Sequence, residues 1–167
     1  MTTPALPLDP ILEAQRLWVE HGWAEAAEGM AMVTAVMRVQ QILMQRVDVV
    51  LRPRDLTFAR YEILMLLSFS RTGAMPMKRL GSRLQVHPTS VTSAVDRLEA
   101  QGYVERKSHP SDRRAVLASI TDEGRQVGAE ATVAINADVF EKPGLSRRDT
   151  SELSRLLRTM RMQAGDF

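Results

Sequence analysis

The sequence has no cysteine among its 167 residues, so neither a disulfide nor thiol chemistry is open to it. It also has no apolar run near the roughly 18 residues that a membrane-spanning helix needs. Its start, Met1–Thr2–Thr3–Pro4, lacks the basic and apolar segments of a signal peptide. These absences predict a cytoplasmic protein without a membrane partner. Hydrophobic residues make up 44% of the chain and charged residues 25%, a composition that can support the core of one globular domain.

Clustered metal ligands and catalytic groups are also missing. The three histidines, His21, His87 and His109, are far apart in the chain, whereas a metal site needs His, Cys or carboxylate ligands close together. No His and carboxylate share an element at a catalytic spacing, and no glycine-rich loop would bind phosphate. The sequence therefore predicts no enzyme, no cofactor and no metal site.

The net positive charge of the chain is small, but the excess of basic side chains is concentrated in one part of it. The net charge is +2, yet residues 78–114 carry eight basic and four acidic side chains, and residues 52–77 are also net positive. Residues 1–51 and 115–167 are both net negative. Such a segment is either an ordinary solvated face or a docking surface for a polyanion. It coincides with the helix pair described next, which favours nucleic acid.

Residues 77–101 have the pattern of two short helices joined by a tight turn. Residues 77–84 place Leu80 and Leu84 on one face, and Pro88 suits the first turn of the second helix. In that second helix Val91, Val95 and Leu98 form one stripe that predicts burial. The outward positions are small hydroxyls and one long cation: Thr89, Ser90, Ser93 and Arg97. This pattern predicts a helix-turn-helix whose second helix fits a DNA major groove.

A β-hairpin is predicted directly after the helix pair. Residues 103–107 and 115–120 are typical of two strands, and the segment 108–114 between them has the Pro, Ser and Asp content of a turn. The hairpin should flank the second helix as a wing. Its tip carries Arg113 and Arg114, whose guanidinium groups suit phosphates and a narrow minor groove.

The rest of the chain predicts helices at about residues 10–21, 24–51, 58–69, 122–140 and 146–162, with a brief strand at 74–76. The fold class is therefore mainly α with a small β-wing. We divide it into N-terminal helices (1–51), a winged helix-turn-helix lobe (52–121) and C-terminal helices (122–167). The first and last helices are too apolar to face water, and either a second subunit or the chain itself could cover them. We expect a homodimer, with these interface residues: Ile11, Leu12, Trp18, Leu153, Leu156, Leu157 and Met160.

Two runs resemble the MarR family of bacterial transcription regulators. One is Leu80…Leu84…Val91–Thr92…Val95–Asp96–Arg97–Leu98–Glu99…Gly102–Tyr103–Val104–Glu105–Arg106, and the other is Pro110–Ser111–Asp112–Arg113–Arg114–Ala115 with Thr121–Asp122–Glu123–Gly124–Arg125. The resemblance implies a homodimer bound to a pseudo-palindromic operator. It also implies that Asp112 orients Arg114. The expected DNA-binding residues are His87, Pro88, Thr89, Ser90, Thr92, Ser93, Arg97, Lys107, His109, Asp112, Arg113 and Arg114.

The family pattern also shapes what we expect of regulation. Members are more often repressors, released when a small aromatic or phenolic anion binds. Candidate lining residues are Met37, Gln41, Phe58 and Tyr61, each of which core packing explains equally well. Sensing of oxidants through a thiol, used by some members, is excluded here. The rival interpretation is a winged helix used as a protein-interaction module without DNA binding.

Two positions depart from the commoner family pattern. His87 stands where the family usually has Ser, and because imidazole is a poorer helix cap we expect it to contact phosphate instead. Ser93 stands where many relatives have Arg or Asn, so the helix lacks a long base-reading side chain there. Specificity for the DNA sequence is then expected to depend on the wing and on the shape of the DNA.

Overall fold

The computed structural model describes residues 7–109, 111 and 115–167. Its helices are α1 (Pro10–Glu20), α2 (Ala24–Leu51), α3 (Phe58–Ser68), α4 (Met77–Leu84), α5 (Pro88–Ala100), α6 (Asp122–Ile135) and α7 (Arg147–Gln163). Its strands are β1 (Ala74–Pro76), β2 (Val104–Ser108) and β3 (Val116–Ile120). A 3₁₀ turn (Arg52–Arg54) follows α2, and a π-helical turn (Asn136–Phe140) continues α6. The expected fold class, mainly α with a small β-wing, is confirmed.

The chain divides into two compact units, with the boundary between Gln45 and Arg46 inside α2. In the first unit, Asp9 caps α1 by accepting a hydrogen bond from the Ile11 N–H (2.9 Å), and Pro10 occupies the first turn. The rings of Trp18 and Trp23 meet edge to face with centroids 5.2 Å apart. No described residue of α1 is buried, so this unit leaves apolar side chains in contact with solvent.

The second unit holds the hydrophobic core. The end of α2 contributes Val47 and Leu51, and α3 contributes four buried residues, of which Ile63, Leu64 and Leu67 are fully buried. Thr57 caps α3 by accepting from the Arg60 N–H (3.4 Å). The predicted stripe of α5 faces this core and its members are at most 2% exposed: Val91, Val95 and Leu98. The orientation of α5 is therefore fixed by burial of one face.

The three strands form an antiparallel sheet in the order β1-β3-β2. Val104 pairs with Ile120 and Ser108 with Val116, so β2 and β3 form the predicted hairpin directly after α5. The brief strand β1 pairs with the other edge of β3, with Ala74 opposite Ser119. The winged helix-turn-helix is thus assembled from α3, β1, α4, α5, β2 and β3.

The junction between the wing and α6 is tightly packed. Thr121 caps α6 by accepting from the Gly124 N–H (3.0 Å), and its own hydroxyl donates to the Gly102 carbonyl (2.7 Å). A Cβ placed on Gly124 would lie 2.1 Å from the carbonyl oxygen of Tyr103. Only glycine therefore allows α6 to approach the start of β2 this closely.

The C-terminal helices differ from the sequence prediction in one detail. The predicted helix over 122–140 is α-helical only to Ile135 and then takes a π-helical turn. The guanidinium of Arg46 donates there to the carbonyls of Asp138 (2.8 Å) and Lys142 (2.7 Å), which satisfies acceptors at the helix end. Within the described part of the chain, no helix is both long and apolar enough to cross a membrane.

Candidate nucleic-acid interface

One face of α5 is mostly polar and open to solvent, with Ala94 as its apolar member. We call its polar part the recognition face, and this consists of Thr89, Ser90, Thr92, Ser93 and Arg97, all of them exposed. The Thr92 hydroxyl donates back to the Pro88 carbonyl (3.1 Å), so its oxygen remains an acceptor for an outside donor. Thr89, Ser90, Ser93 and Arg97 share a shallow groove with Thr57 and Arg60 of the neighbouring α3. A face of short hydroxyls with cations at its side suits both base edges and phosphates.

His87 does cap α5, contrary to the sequence expectation. Its Nδ1 lies 3.3 Å from the Thr89 N–H and accepts from it. The expectation failed because the imidazole Nδ1 reaches the Thr89 N–H and accepts from it. Since Nδ1 is the acceptor, the ring proton of a neutral His87 lies on Nε2, and the exposed side chain can still donate to a phosphate.

Arg97 is not an isolated cation. Its Nη2 lies 3.3 Å from the Asp55 carboxylate, in the turn before α3. The same carboxylate accepts from Gln101 Nε2 (2.9 Å) and lies 3.7 Å from the Arg60 guanidinium. Sequence reasoning missed Asp55, Arg60 and Gln101, because the contacts that join them to α5 or its cap span more than 40 positions in the chain.

A second ion-pair cluster fastens the wing to α5. Arg106 of β2 binds the carboxylates of Asp96 and Glu99, and its backbone N–H also donates to Glu99 (3.1 Å). Burial alone would lower the pKa of Arg106, but the hydrogen bonds that its guanidinium donates to Asp96 and Glu99, together with the negative charges of both, outweigh burial and raise that pKa. Arg106 therefore stays charged and sets the position of β2 on α5.

The wing carries the remaining predicted contacts. Lys107 is exposed and pairs with the neighbouring Glu105 carboxylate. His109 is half-buried, its N–H donates to the Ala115 carbonyl (3.1 Å), and its Nδ1 accepts from the Ser111 N–H (3.3 Å). Asp112, Arg113 and Arg114 lie outside the described residues, so their roles stay predictions.

The four predicted effector-lining residues are divided between the two units. Met37 and Gln41 are exposed residues of α2 in the first unit. In the second unit the rings of Phe58 and Tyr61 stack with centroids 6.2 Å apart. Tyr61 is only 6% exposed, and its hydroxyl shares a hydrogen bond with the Thr132 hydroxyl (3.1 Å). Tyr61 is thus a core residue in this structure, and the effector site stays a prediction.

The predicted dimerisation residues lie on exposed or half-exposed apolar faces. In α1, Leu12 is 61% exposed, while Ile11 and Trp18 are half-buried. In α7 all four predicted residues are exposed by 37–47%: Leu153, Leu156, Leu157 and Met160. Ser146 caps α7 by accepting from the Asp149 N–H (3.2 Å), as its sequence predicts.

Comparison with known proteins identifies the fold family. A model of the MarR family matches residues 56–116. The HTH-type transcriptional regulator YhbI of Bacillus subtilis is 31% identical over 112 residues, which cover 65% of this chain and 68% of YhbI. The crystal structure of Sco5413, a MarR family transcriptional regulator from Streptomyces coelicolor, is 46% identical with a TM-score of 0.76, and the match covers 84% of this chain and 97% of that one.

A further solved structure shows a similar protein with nucleic acid. Sco3205, a MarR family transcriptional regulator from Streptomyces coelicolor, was crystallised in complex with DNA. It is 26% identical to this chain with a TM-score of 0.71, over 80% of this chain and 86% of that one. All three similar proteins are transcriptional regulators, a class distinct from enzymes. The chain belongs to the MarR family and is a DNA-binding transcriptional regulator.

Proposed function

We propose that this regulator binds a pseudo-palindromic operator as a homodimer, with α5 of each protomer in the major groove. The observation that carries the proposal is the two-sidedness of α5. Its apolar stripe is at most 2% exposed, while every residue of the recognition face is exposed. A helix held in this way presents a fixed polar surface to a partner. The similar protein Sco3205, which was crystallised in complex with DNA, supports DNA as the partner.

Individual residues are assigned by their chemistry. Thr89, Ser90 and Ser93 contact base edges or phosphates, and Thr92 does so from the flank of the helix. Arg97 and Lys107 contact the sugar-phosphate backbone, where His87 Nε2 adds a donor. From the family resemblance, Arg113 or Arg114 enters the minor groove beside the wing, with Asp112 orienting Arg114.

The homodimer is supported by the apolar faces of α1 and α7. Side chains such as Leu12 (61% exposed) and Leu156 (47% exposed) lose contact with water if a second copy covers them. A two-fold axis through that interface places two α5 helices about one turn of DNA, or roughly 10 base pairs, apart. The operator should then have two inverted half-sites.

Regulation completes the proposal. We infer that the protein represses transcription, since a dimer bound across a promoter excludes RNA polymerase. We also infer a cytoplasmic location, because bacterial DNA lies in the cytoplasm. The effector is proposed to be a small aromatic or phenolic anion. This class of molecule is the one that the family resemblance implies.

Selection from a random DNA pool tests the function directly. The purified protein should enrich one inverted repeat, and its affinity for that duplex should fall steeply with salt because lysine and arginine displace counterions. Arg97→Ala should lower the slope of log affinity against log salt by about one, as expected for one lost phosphate contact. Arg148→Ala, which removes the same charge from the exposed start of α7, is the matched control and should leave the slope unchanged.

The outcome also separates the rival class. A protein-interaction module would enrich no sequence and would show a flat salt response with any duplex. An inverted repeat bound equally well by wild type and Arg97→Ala would keep the DNA function but remove Arg97 from the interface.

A further inference from the structure

Asp55 has an unusual backbone conformation at a point close to the recognition face. It directly follows the 3₁₀ turn and lies in the left-handed region, with φ 47° and ψ 40°. Aspartate tolerates this region better than most side chains. The conformation allows its carboxylate to accept from Gln101 Nε2 (2.9 Å) and Arg97 Nη2 (3.3 Å), both of which belong to α5 or its cap.

The carboxylate belongs to a network rather than to a single surface pair. Gln101 Nε2 also donates to the Asp55 backbone carbonyl (3.0 Å), and Gln101 Oε1 accepts from Arg60 Nη1 (3.2 Å). The Arg60 side chain is only 11% exposed and its Nε donates to the Thr57 hydroxyl (3.3 Å). An exposed ion pair contributes little alone, but several mutually fixed partners reduce the entropy lost in holding it.

We propose that Asp55 is a positioning residue that increases the preference of this regulator for its operator over other DNA. It acts by holding the Arg97 guanidinium against the turn before α3, beside Ser93 and Thr89. The inference rests on the proposed function, since it requires α5 to enter the major groove. In the major-groove complex, a guanidinium held in one place contacts a phosphate only when α5 lies at one position along the DNA. A mobile guanidinium contacts phosphates at many positions of α5 and does not distinguish between them.

The negative charge of Asp55 also increases the preference for the operator over other DNA. A carboxylate on a DNA-binding surface repels phosphates and weakens binding to every sequence. This repulsion is offset only in a complex where Arg97 contacts its phosphate and the hydroxyls of the recognition face form hydrogen bonds with the DNA. A repulsive group of this kind is a common route to specificity, because it penalises the wrong complex more than the right one.

Two variants of Asp55 isolate this effect without disturbing the backbone. Asn and Gly both tolerate positive φ, so Asp55→Asn and Asp55→Gly should fold like the wild type, as circular dichroism and melting can verify. Asp55→Asn removes the charge that holds Arg97 but keeps an oxygen for Gln101. Arg97→Gln removes the residue through which Asp55 is proposed to act.

The experiment measures affinity for two duplexes of about 30 base pairs at several salt concentrations. One is the sequence selected by the wild type from a random pool, and the other is a shuffled sequence of the same composition. Asp55→Asn should raise affinity for the shuffled duplex and lower the ratio of selected to shuffled affinity about two- to fivefold, the range of a surface ion pair. In the Arg97→Gln background, Asp55→Asn should leave that ratio unchanged.

Each alternative result has a distinct meaning. Equal gains for both duplexes would show that Asp55 contributes charge alone, and no change at all would show that the network is merely structural; both overturn the proposal. A loss of discrimination that persists in the Arg97→Gln background also overturns it, since Asp55 would not act through Arg97. A wild type that selects no sequence would instead refute the proposed DNA function, and this inference with it.

Discussion

Replacing Gly124 by alanine should destabilise the winged lobe through one backbone contact. The added Cβ would lie 2.1 Å from the Tyr103 carbonyl oxygen and 2.9 Å from its carbonyl carbon. Carbon and carbonyl oxygen normally approach no closer than about 3.3 Å. The start of β2 must therefore move away from α6 by about 1 Å, and the hydrogen bond from the Thr121 N–H to the Tyr103 carbonyl (3.1 Å) must stretch with it.

The magnitude follows from three effects of different sign. Overpacking of a fitted site costs about 1–3 kcal/mol. Weakening the Thr121 hydrogen bond adds about 1 kcal/mol. Alanine offsets at most about 1 kcal/mol through its higher helix propensity. We expect a net loss of about 1–3 kcal/mol in the free energy of unfolding, equivalent to roughly 2–12 °C in melting temperature for a chain of this size.

Gly128, one turn further along α6, provides the matched control. A Cβ there would meet the Leu64 Cβ at 3.7 Å and the Met65 Sδ at 3.8 Å, which are ordinary contacts. Gly128→Ala should therefore gain up to about 1 kcal/mol from helix propensity. Thermal unfolding of both variants at one protein concentration measures the difference, since dimerisation makes melting depend on concentration. If Gly124→Ala melts at or above Gly128→Ala, the close approach of α6 to β2 is not a constraint on the fold.

Three further predictions address the wing, the dimer and a half-buried carboxyl. Arg114→Ala should weaken operator binding by about tenfold in a gel-shift titration without changing the oligomeric state, and unchanged affinity would remove the wing from the interface. Leu153→Asp should dissociate the dimer in sedimentation velocity, whereas Ser151→Asp on the opposite face of α7 should not; equal behaviour of the two would place the interface elsewhere. Burial raises the pKa of Glu62, so the folded state holds that proton more tightly than the unfolded state, and stability should decrease as pH rises through the titration of this carboxyl. Glu62→Gln should accordingly raise the melting temperature at pH 7 relative to wild type but not at a pH where Glu62 is protonated, and a constant difference across pH would contradict the assignment.

Periodicity and helix-capping residues made most of the fold predictable. The spacing of Val91, Val95 and Leu98 gave both the helix and its buried face, because a stripe at i, i+4 and i+7 has one stable orientation. The helix starts predicted near residues 122 and 146 agree with the structure, where Thr121 and Ser146 cap α6 and α7. Each of these signals is local, since a helix or cap depends on residues within a few positions of one another.

The missed features depend on contacts that are distant in sequence. The π-helical turn after Ile135 is stabilised by hydrogen bonds from Arg46 to carbonyls more than 90 positions later in the chain. No sequence pattern near residue 136 predicts this turn. The role of Asp55 was not predictable, because its bonds to Arg97 and Gln101 join segments more than 40 positions apart. The cluster around Arg106 was nearer to prediction: Asp96 and Glu99 are three apart on α5, and an opposite charge on the adjoining strand was a readable signal.

The structure also changes how the positive charge of the winged lobe should be counted. The charge count over residues 78–114 includes every cation, yet Arg106 is held by two carboxylates and is only 27% exposed at its side chain. Such a cation fixes the position of the wing instead of contacting DNA. Arg97 is 62% exposed and has one carboxylate oxygen at 3.3 Å from Nη2, so other donors of its guanidinium can bind a phosphate while Asp55 holds it. The salt dependence of binding should therefore report fewer phosphate contacts than the number of basic residues suggests, and Arg97 should account for one of them.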